Sequence, residues 1–368
     1  MKTPIMQFGT SRFLQAHADL FISEAMARGE ALGPITVVQT TGSSERAERL
    51  KGLAADGGFP VRIRGIEDGQ PVDRVRQVTS VRRALSASTD WSEIERIFIE
   101  EVSLVLCNTA DRGYDITGEP QALPSGLPVS FPGKLTVLLH ARFAAGGDGL
   151  TILPCELISR NGEALRAIVL DLAARWYQGG DFSAWLESKV IFCNTLVDRI
   201  VSEPLFPAGA VAEPYALWAI QRVAGQALPC VHPDVVVADD IEPYEKLKLF
   251  ILNLGHSFLA HRWIEGGRKE GLTVREMLGS EQTRLSLLSL YETEVVPGFA
   301  RKAMQAEAKA YVSATLQRFD NPFLDHRLSD IAQNHAEKIR RRFQGFLDWS
   351  GAEAPTLQAI IRASEASA

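Results

Sequence analysis

Short apolar runs alternate with helical patterns through the first half of the chain, and this alternation constrains the fold most. Segments 12–29 and 44–55 have apolar residues at helical spacing. Strands that alternate with helices predict a parallel sheet with helices on both faces. The apolar runs of strand length are PIMQFG (4–9), PITVVQT (34–40), VSLVLCNT (102–109) and GLTILPCEL (149–157).

The second half of the chain has a different character. From about Asn194 onward long helical patterns dominate and strand signals nearly vanish, as in EPYALWAIQRVA (213–224). A chain of 368 residues is long enough for two domains. We therefore predict an α/β fold, with a Rossmann-like dinucleotide-binding domain over residues 1–192. A mostly α-helical substrate or catalytic domain is expected over residues 193–368.

Composition excludes several classes of protein. The net charge is −6, and the one short basic run, KIRRRF (338–343), is typical of the solvated side of a helix, so we expect no nucleic-acid partner. No apolar run of membrane-spanning length and no signal-peptide pattern occur, so a cytoplasmic location without membrane contact is expected. The four cysteines are widely separated, and no HExxH motif occurs, so we predict no metal site. A monomer or homodimer is expected.

The first strand ends in the turn GTSRFL, Gly9 to Leu14, which opens a helix. Dinucleotide-binding folds place a glycine-rich turn here, where backbone N–H groups meet a pyrophosphate. Ser11 stands at the second glycine position of GxGxxG, and the motif alone fits an ordinary strand-to-helix turn equally well. The cofactor-binding candidates in this region are Phe8, Gly9, Thr10, Ser11, Arg12 and Phe13.

Two further strand ends are candidates for cofactor binding. The second strand offers Gln39 and Thr40, where an Asp or Glu usually binds the ribose of NAD. Hydroxyl groups and Arg46 just beyond could instead hold a 2′-phosphate, so we expect NAD and leave NADP open. Asn108 and Thr109 follow a parallel strand, at an edge where such folds bind ligands.

The stretch KLFILNLGH places Lys248, Asn253 and His256 in an apolar helical pattern. On an α-helix these residues fall within an arc of roughly 140°. Burial of an unpaired lysine lowers its pKa, which makes it a useful general base, and an asparagine amide can polarise a carbonyl. The same spacing also fits a solvated lysine beside a core histidine, and it does not exclude Lys246 as the functional lysine.

These motifs resemble those of the mannitol dehydrogenase family of polyol-specific long-chain dehydrogenases. The family's Lys-x4-Asn-x2-His helix is matched by Lys248, Asn253 and His256, which selects Lys248, and NTLVDRI (194–200) matches a second family stretch. Other segments are similar to the branch that acts on the sugar acids tagaturonate and altronate. The resemblance implies metal-independent, NAD(P)-dependent hydride transfer between a secondary alcohol and a ketone. It implies Lys248 as the acid/base, Asn194 and Asn253 as carbonyl-polarising donors, and His256 as a substrate contact.

Two alternatives stay open at this point. The chain is shorter than typical members of the sugar-acid branch, so a mannitol or mannitol-1-phosphate type of polyol dehydrogenase is the first. The second is a non-catalytic dinucleotide-binding sensor, although a sensor has no need of a tuned base. If the chain is an enzyme, of the sugar-acid branch or of the polyol type, we expect a small sugar acid or polyol as the substrate.

Overall fold

A computed structural model of the chain describes residues 1–40, 47–109 and 113–366. The contacts within the chain divide it into two compact units. The first unit consists of residues 1–63, 74–212 and 216–241, and the second consists of residues 64–73, 213–215 and 242–368.

A parallel six-stranded sheet forms the centre of the first unit. Its strands, numbered in chain order, are β1 (Ile5–Phe8), β2 (Ile35–Gln39), β5 (Val81–Ser86), β6 (Leu104–Cys107), β7 (Thr151–Pro154) and β8 (Ile191–Phe192). They lie in the order β5-β2-β1-β6-β7-β8, and each neighbouring pair is parallel. Counted within this sheet alone, the order is 3-2-1-4-5-6, which is that of dinucleotide-binding folds.

The four central strands of this sheet, β2, β1, β6 and β7, are buried on both faces, which explains the continuous apolar runs in the sequence. Successive side chains of a strand point to opposite faces. Ile5 accordingly belongs to one buried cluster and Met6 to another. The helices of this unit are α1 (Arg12–Gln15), α2 (Ala18–Met26), α3 (Ala47–Leu53), α4 (Trp91–Glu100), α5 (Phe131–Ala144), α6 (Asn161–Trp176) and α7 (Asp181–Lys189).

The single helix predicted over residues 12–29 is two helices. His17 interrupts the pattern with φ −126° and ψ −95°, which lie outside the helical region. Its ring is fully buried, and its Nε2 lies 3.0 Å from the carbonyl oxygen of Leu217. Packing of this ring against the following strands therefore overrides the helical periodicity.

The prediction that strands nearly vanish after Asn194 is wrong. The segment EPYALWAIQRVA contains a strand, in which Trp218, Ala219 and Ile220 are all fully buried. A segment buried on all sides carries no alternation, so short apolar runs of this kind are ambiguous between helix and strand. The further strands are β3 (Phe59–Glu67), β4 (Gln70–Val78), β9 (Thr195–Asp198), β10 (Val201–Pro204), β11 (Ala210–Ala212), β12 (Leu217–Gln221) and β13 (Val235–Ala238).

These strands form two smaller sheets, ordered β10-β11-β3-β4 and β13-β12-β9. Val197 and Trp218 share a buried cluster with Ile5 of the central sheet. Residues 193–241 therefore pack with the first unit apart from Glu213–Tyr215, and the main change of unit falls between Ile241 and Glu242. This differs from the expected division at residues 192/193, because the strands after 193 went unrecognised.

The second unit is mostly helical and has its own apolar core, which includes Ile251, Leu259 and Phe343. Three of its helical segments have π-type hydrogen bonding and are called here the first, second and third π-turn. They cover Lys248–Asn253, Tyr291–Val295 and Arg340–Gln344. The α-helices are α8 (Glu242–Leu247), α9 (Leu254–Glu265), α10 (Val274–Leu278), α11 (Glu281–Leu290), α12 (Val296–Ala300), α13 (Gln305–Phe319), α14 (Leu328–Ile331), α15 (His335–Ile339), α16 (Gly345–Ser350) and α17 (Pro355–Ala366).

Candidate active site

The turn between β1 and α1 lies where the strand order of the central sheet reverses. Gly9 has a φ of +114°, and a Cβ atom there would lie 2.5 Å from the backbone oxygen of Asn108. Glycine therefore allows the ends of β1 and β6 to approach this closely. The hydroxyl oxygen of Ser11 accepts a 3.2 Å hydrogen bond from the N–H of Leu14. The same hydroxyl donates to Asn108 Oδ1 at 3.3 Å. The turn and the neighbouring strand end are thus tied together at the position where such folds bind ligands.

The other candidates in this turn differ in exposure. Phe8 is fully buried and packs with its ring centroid 5.2 Å from that of Phe131, so a ligand could reach only its backbone. Arg12 is exposed at the start of α1, and Thr10 and Phe13 are half-buried. Exposure thus leaves the side chains of Thr10, Arg12 and Phe13 accessible beside Gly9.

The end of β2 carries uncharged groups. Gln39 is buried, and its carbonyl oxygen accepts a 2.9 Å hydrogen bond from the N–H of Ala87. Thr40 is half-buried and follows it. The hydroxyl-rich continuation with Arg46, which the sequence suggested for a 2′-phosphate, lies outside the described residues.

A buried carboxyl group that the sequence analysis missed organises the end of β6. Glu156 Oε1 accepts from the N–H of Thr109 at 3.0 Å and from its hydroxyl at 3.1 Å. The hydroxyl of Tyr114 donates to the other oxygen at 3.2 Å. Burial raises the pKa of Glu156, and the hydrogen bonds from the Cys107 thiol and from Thr109 act in the opposite direction. The sequence signal for this group was an acidic residue directly after the apolar run TILPC. A carboxyl group buried at the end of a strand needs hydrogen-bond donors around it, so such a position indicates an ordered polar cluster.

Asn194 lies in the first unit, where its side chain is fully engaged. Its Nδ2 donates to Glu163 Oε1 at 2.9 Å and to Gln221 Oε1 at 2.8 Å. Its Oδ1 accepts from the N–H of Glu163 at 3.1 Å. Donation from Asn194 to a substrate carbonyl therefore requires one of these bonds to open.

The first π-turn carries Lys248 and Asn253 at its two ends. An α-helix would separate residues five apart by roughly 140° around its axis. In a π-helix the hydrogen bonds join residues i and i+5, which stacks such residues on one face, and single π-turns are frequent at functional sites. The interval between Lys248 and Asn253 therefore matches the local helix geometry.

The neighbouring lysine is engaged elsewhere. Lys246 Nζ lies 3.2 Å from Glu242 Oε1 and 5.6 Å from the centroid of the Phe250 ring. Lys248 is half-buried and belongs to the π-turn itself. Lys246 thus lies in an ion pair before the π-turn and Lys248 lies within the turn, and the choice of Lys248 as the functional lysine stays a prediction.

His256 follows within the first turn of α9 and is buried. Its ring centroid lies 4.5 Å from that of His326 and 4.6 Å from that of Phe319. Burial, followed by the nearby cationic groups, lowers its pKa well below the usual value, so the ring is neutral at neutral pH. Its Nε2 has no hydrogen-bond partner within the described residues, which leaves a buried polar atom for a ligand to satisfy.

The basic run KIRRRF was also misread as a solvated face. Arg340 and Arg341 are exposed, but Lys338 and Arg342 are half-buried. Arg342 Nη1 donates to the carbonyl oxygen of Asn253 at 3.0 Å. The spacing of Lys338 and Arg342, four residues apart beside the apolar Ile339 and Phe343, was the signal that one side of this helix faces the core.

Neither a metal centre nor a membrane span has a candidate among the described residues. Within them, no three His, Cys, Asp or Glu side chains form a group that could hold a metal ion. None of the helices in the described ranges is long and apolar enough to cross a membrane.

Two family models match the chain in succession. The mannitol dehydrogenase Rossmann domain matches residues 3–229, and the mannitol dehydrogenase C-terminal domain matches residues 240–357. The chain belongs to the mannitol dehydrogenase family. Its predicted resemblance, its Rossmann-like fold with a helical C-terminal region, and its assignment as a dehydrogenase acting on a CH–OH group are thereby confirmed.

Curated relatives cover most of the chain. It is 32% identical over 382 residues to the altronate oxidoreductase of Halalkalibacterium halodurans, which covers 96% of this chain and 72% of that protein. The altronate oxidoreductase of Bacillus subtilis is 31% identical, covering 92% of this chain and 73% of that protein. The altronate oxidoreductase of Klebsiella pneumoniae strain 342 is 33% identical, covering 92% of this chain and 73% of that protein.

Solved structures with the same fold are more distant in sequence. D-sorbitol dehydrogenase in substrate-free form superimposes with a TM-score of 0.78 at 20% identity, over 94% of this chain and 76% of that chain. Pseudomonas fluorescens mannitol 2-dehydrogenase, in a ternary complex with NAD and D-mannitol, has a TM-score of 0.72 at 21% identity over 99% and 79%. These similarities establish the shared fold.

Proposed function

We propose that this member of the mannitol dehydrogenase family is an NAD-dependent oxidoreductase that interconverts a sugar acid of the altronate type and its keto acid. The observation that carries the proposal is the first π-turn, with Lys248 and Asn253 on one face and the neutral His256 three residues further on. The names of the three altronate oxidoreductase relatives support the substrate class.

Each side chain has a distinct role in the proposed reaction. Lys248 accepts the hydroxyl proton during alcohol oxidation and returns it during ketone reduction, as a general base and acid. The Asn253 amide donates to the reacting oxygen, and removal of one such donor typically costs about 2.7–4 kcal/mol of barrier stabilisation. The unpartnered Nε2 of His256 orients a neighbouring substrate hydroxyl. Asn194 is proposed as a second carbonyl donor, once its bond to Glu163 or Gln221 opens.

The charge around His256 favours an acidic substrate over a neutral polyol. Arg318, Lys338 and Arg342 all act on the pKa of His256. Arg318 is paired with the carboxylate of Glu213 at 2.8 Å. Lys338 and Arg342 instead donate to uncharged oxygens, of Ile331 at 2.8 Å and of Asn253 at 3.0 Å respectively. Two cations whose described hydrogen bonds go to uncharged oxygens suit a carboxylate ligand.

The residues at the strand-order reversal fit a dinucleotide. The left-handed Gly9 lets the backbone of the turn approach a ligand closely, and the proposed contacts extend to Ser11, Gln39, Asn108 and Thr109. A bound nicotinamide dinucleotide supplies the hydride acceptor or donor. Gln39 and Thr40 carry no positive charge for a 2′-phosphate, which favours NAD.

The test is oxidation of NADH and NADPH by the purified protein with tagaturonate, fructuronate, fructose and fructose 6-phosphate. We expect turnover with a keto acid, loss of at least about 10³-fold in Lys248→Ala, and near-parental turnover in Lys246→Ala, its matched control on the same helix. Survival of turnover in Lys248→Ala would contradict the proposed base. Preferred turnover of fructose or its phosphate would instead support a polyol dehydrogenase.

A further inference from the structure

Two side chains from other segments of the second unit bind the backbone of the first π-turn. The hydroxyl of Tyr291, at the start of the second π-turn, donates to the carbonyl oxygen of Ile251 at 3.0 Å. Arg342, in the third π-turn, donates to the carbonyl oxygen of Asn253 at 3.0 Å and to Ser257 Oγ at 2.8 Å. All three π-turns of the unit are thus joined by these contacts.

A π-turn inside an α-helix needs such outside partners. In an α-helix each carbonyl accepts from the N–H four residues on, and the π-turn shifts this pattern to five. The N–H of Leu254 accordingly reaches both Leu249 and Ile251. Because the Leu254 N–H is shared between two carbonyls, the Ile251 carbonyl oxygen can accept a second hydrogen bond. The buried hydroxyl of Tyr291 donates this bond.

The sequence makes room for this contact. A Cβ atom at Gly255 would lie 1.9 Å from Tyr291 Oη and 3.3 Å from the ring of Phe319. Gly255 does not have a left-handed φ, so its role is to provide space and not conformational freedom. Tyr291 therefore reaches the π-turn only because residue 255 has no side chain.

The guanidinium of Arg342 is held within the protein. Burial, with the neighbouring Arg341 as a lesser cause, lowers its pKa to about 10. It therefore remains charged at neutral pH, and charge-assisted hydrogen bonds of this kind are about twice as strong as neutral ones. The contact fixes the peptide group of Asn253, the residue proposed to donate to the reacting oxygen.

We infer that Tyr291 and Arg342 are positioning residues, which hold the first π-turn so that Lys248 and Asn253 face the reacting carbon–oxygen bond together. The inference rests on the proposed function of those two residues. Tyr291 acts through the backbone alone, whereas Arg342, whose charge is proposed above to suit a substrate carboxylate, acts on the turn through its hydrogen bond to the Asn253 carbonyl. Relaxation of the turn to α-helical geometry would leave Asn253 roughly 140° from Lys248 around the helix axis.

A positioning role differs measurably from a merely structural one. Misplacement of a catalytic group by about 1 Å can lower turnover by about 10²-fold. Loss of a purely structural hydrogen bond lowers the melting temperature but leaves kcat and the pH–rate profile of the folded molecules unchanged.

The experiment compares Tyr291→Phe and Arg342→Gln with the parent, using the keto acid that the substrate panel identifies. We expect kcat to fall about 10- to 100-fold in each, with KM for the cofactor within about twofold and a displaced pH–rate profile. Arg342→Lys, which keeps a cationic donor, should recover much of the loss. Tyr177→Phe, a loss of hydroxyl in the first unit, is the matched control and should retain parental kcat.

The Lys248→Ala variant keeps the two proposals distinguishable. If it loses turnover while Tyr291→Phe and Arg342→Gln keep the parental kcat and pH profile, the positioning roles are overturned and the proposed function stands. If Lys248→Ala keeps turnover, the proposed role of Lys248 as acid/base is overturned, and the positioning inference fails with it.

Discussion

Asp19 is a fully buried carboxyl group on helix α2. Its Oδ2 lies 3.5 Å from Gln7 Nε2, and its Oδ1 has no hydrogen-bond partner among the residues that the structure describes. Burial raises the pKa of Asp19 to about 8, and the hydrogen bond from Gln7 acts weakly against it. The unfolded chain releases this proton near pH 3.9, so the contribution to stability is full below about pH 4 and is lost as pH rises towards 8.

Replacement of Asp19 by Asn removes this titration. The free energy of unfolding of Asp19→Asn should exceed that of the parent by an amount that grows from pH 4 to pH 8 and then levels off. Its upper limit is about 6 kcal/mol, because the shift is about four pKa units and each unit corresponds to about 1.36 kcal/mol. Urea unfolding at several pH values measures the difference, with the exposed Asp56→Asn as control. A difference that is constant with pH would contradict the buried protonated carboxyl.

The junction of the first π-turn with α9 depends on a close approach of Tyr291 to Gly255. Gly255→Ala should lower the free energy of unfolding by about 1–3 kcal/mol, since the added methyl group overlaps Tyr291 Oη. Tyr291→Phe removes that oxygen, and the next nearest atom, Tyr291 Cζ, lies 3.1 Å from the added carbon. The double variant should therefore be less destabilised than the sum of the single variants. Simple additivity, measured by urea unfolding, would show that the two residues do not share this space.

Helices and strands were predictable where burial leaves a clear pattern. Strands β1, β2, β6 and β7 are buried on both faces, and their continuous apolar runs predicted them. Strand β12 has the same character, but the charged residues that flank it imitate helical spacing, and it was predicted as a helix. The break at His17 and the boundary after Ile241 depend on contacts between distant segments, which local periodicity does not contain.

The candidate site was predictable as a set of residue types and not as a geometry. The spacing of Lys248, Asn253 and His256 pointed to the helix, and the structure adds a π-turn that no propensity rule detects. Arg342 lies 89 positions from Asn253 along the chain and reaches it through its guanidinium. A contact of this kind follows from the packing of the second unit, so the sequence showed only a basic run.

As a whole, the chain spans 72–73% of the length of the altronate oxidoreductases of H. halodurans, B. subtilis and K. pneumoniae. Both family domains are nevertheless represented, over residues 3–229 and 240–357. Cofactor binding can therefore be tested on a chain that contains both domains.

Cofactor binding should stabilise the folded chain as a whole, because a ligand that binds only the native state adds to its stability. At about 100 times the dissociation constant the gain is about 2.7 kcal/mol. NADH should raise the melting temperature more than NADPH at equal concentration, because the uncharged Gln39 and Thr40 give a 2′-phosphate no counter-charge. A larger shift with NADPH would contradict this assignment of the strand end.

Alanine variants of two glycines test where the cofactor binds, again through the NADH-induced shift in melting temperature. Gly9 and Gly29 both have left-handed φ values, +114° and +74°, so alanine is strained at either position. A Cβ atom at Gly9 also meets the backbone of Asn108, whereas one at Gly29 meets nothing within 4 Å. Both variants should melt at lower temperature, but only Gly9→Ala should lose the shift caused by NADH. Equal shifts in the two variants would place the dinucleotide away from the turn after β1, because damage to that turn would then leave binding intact.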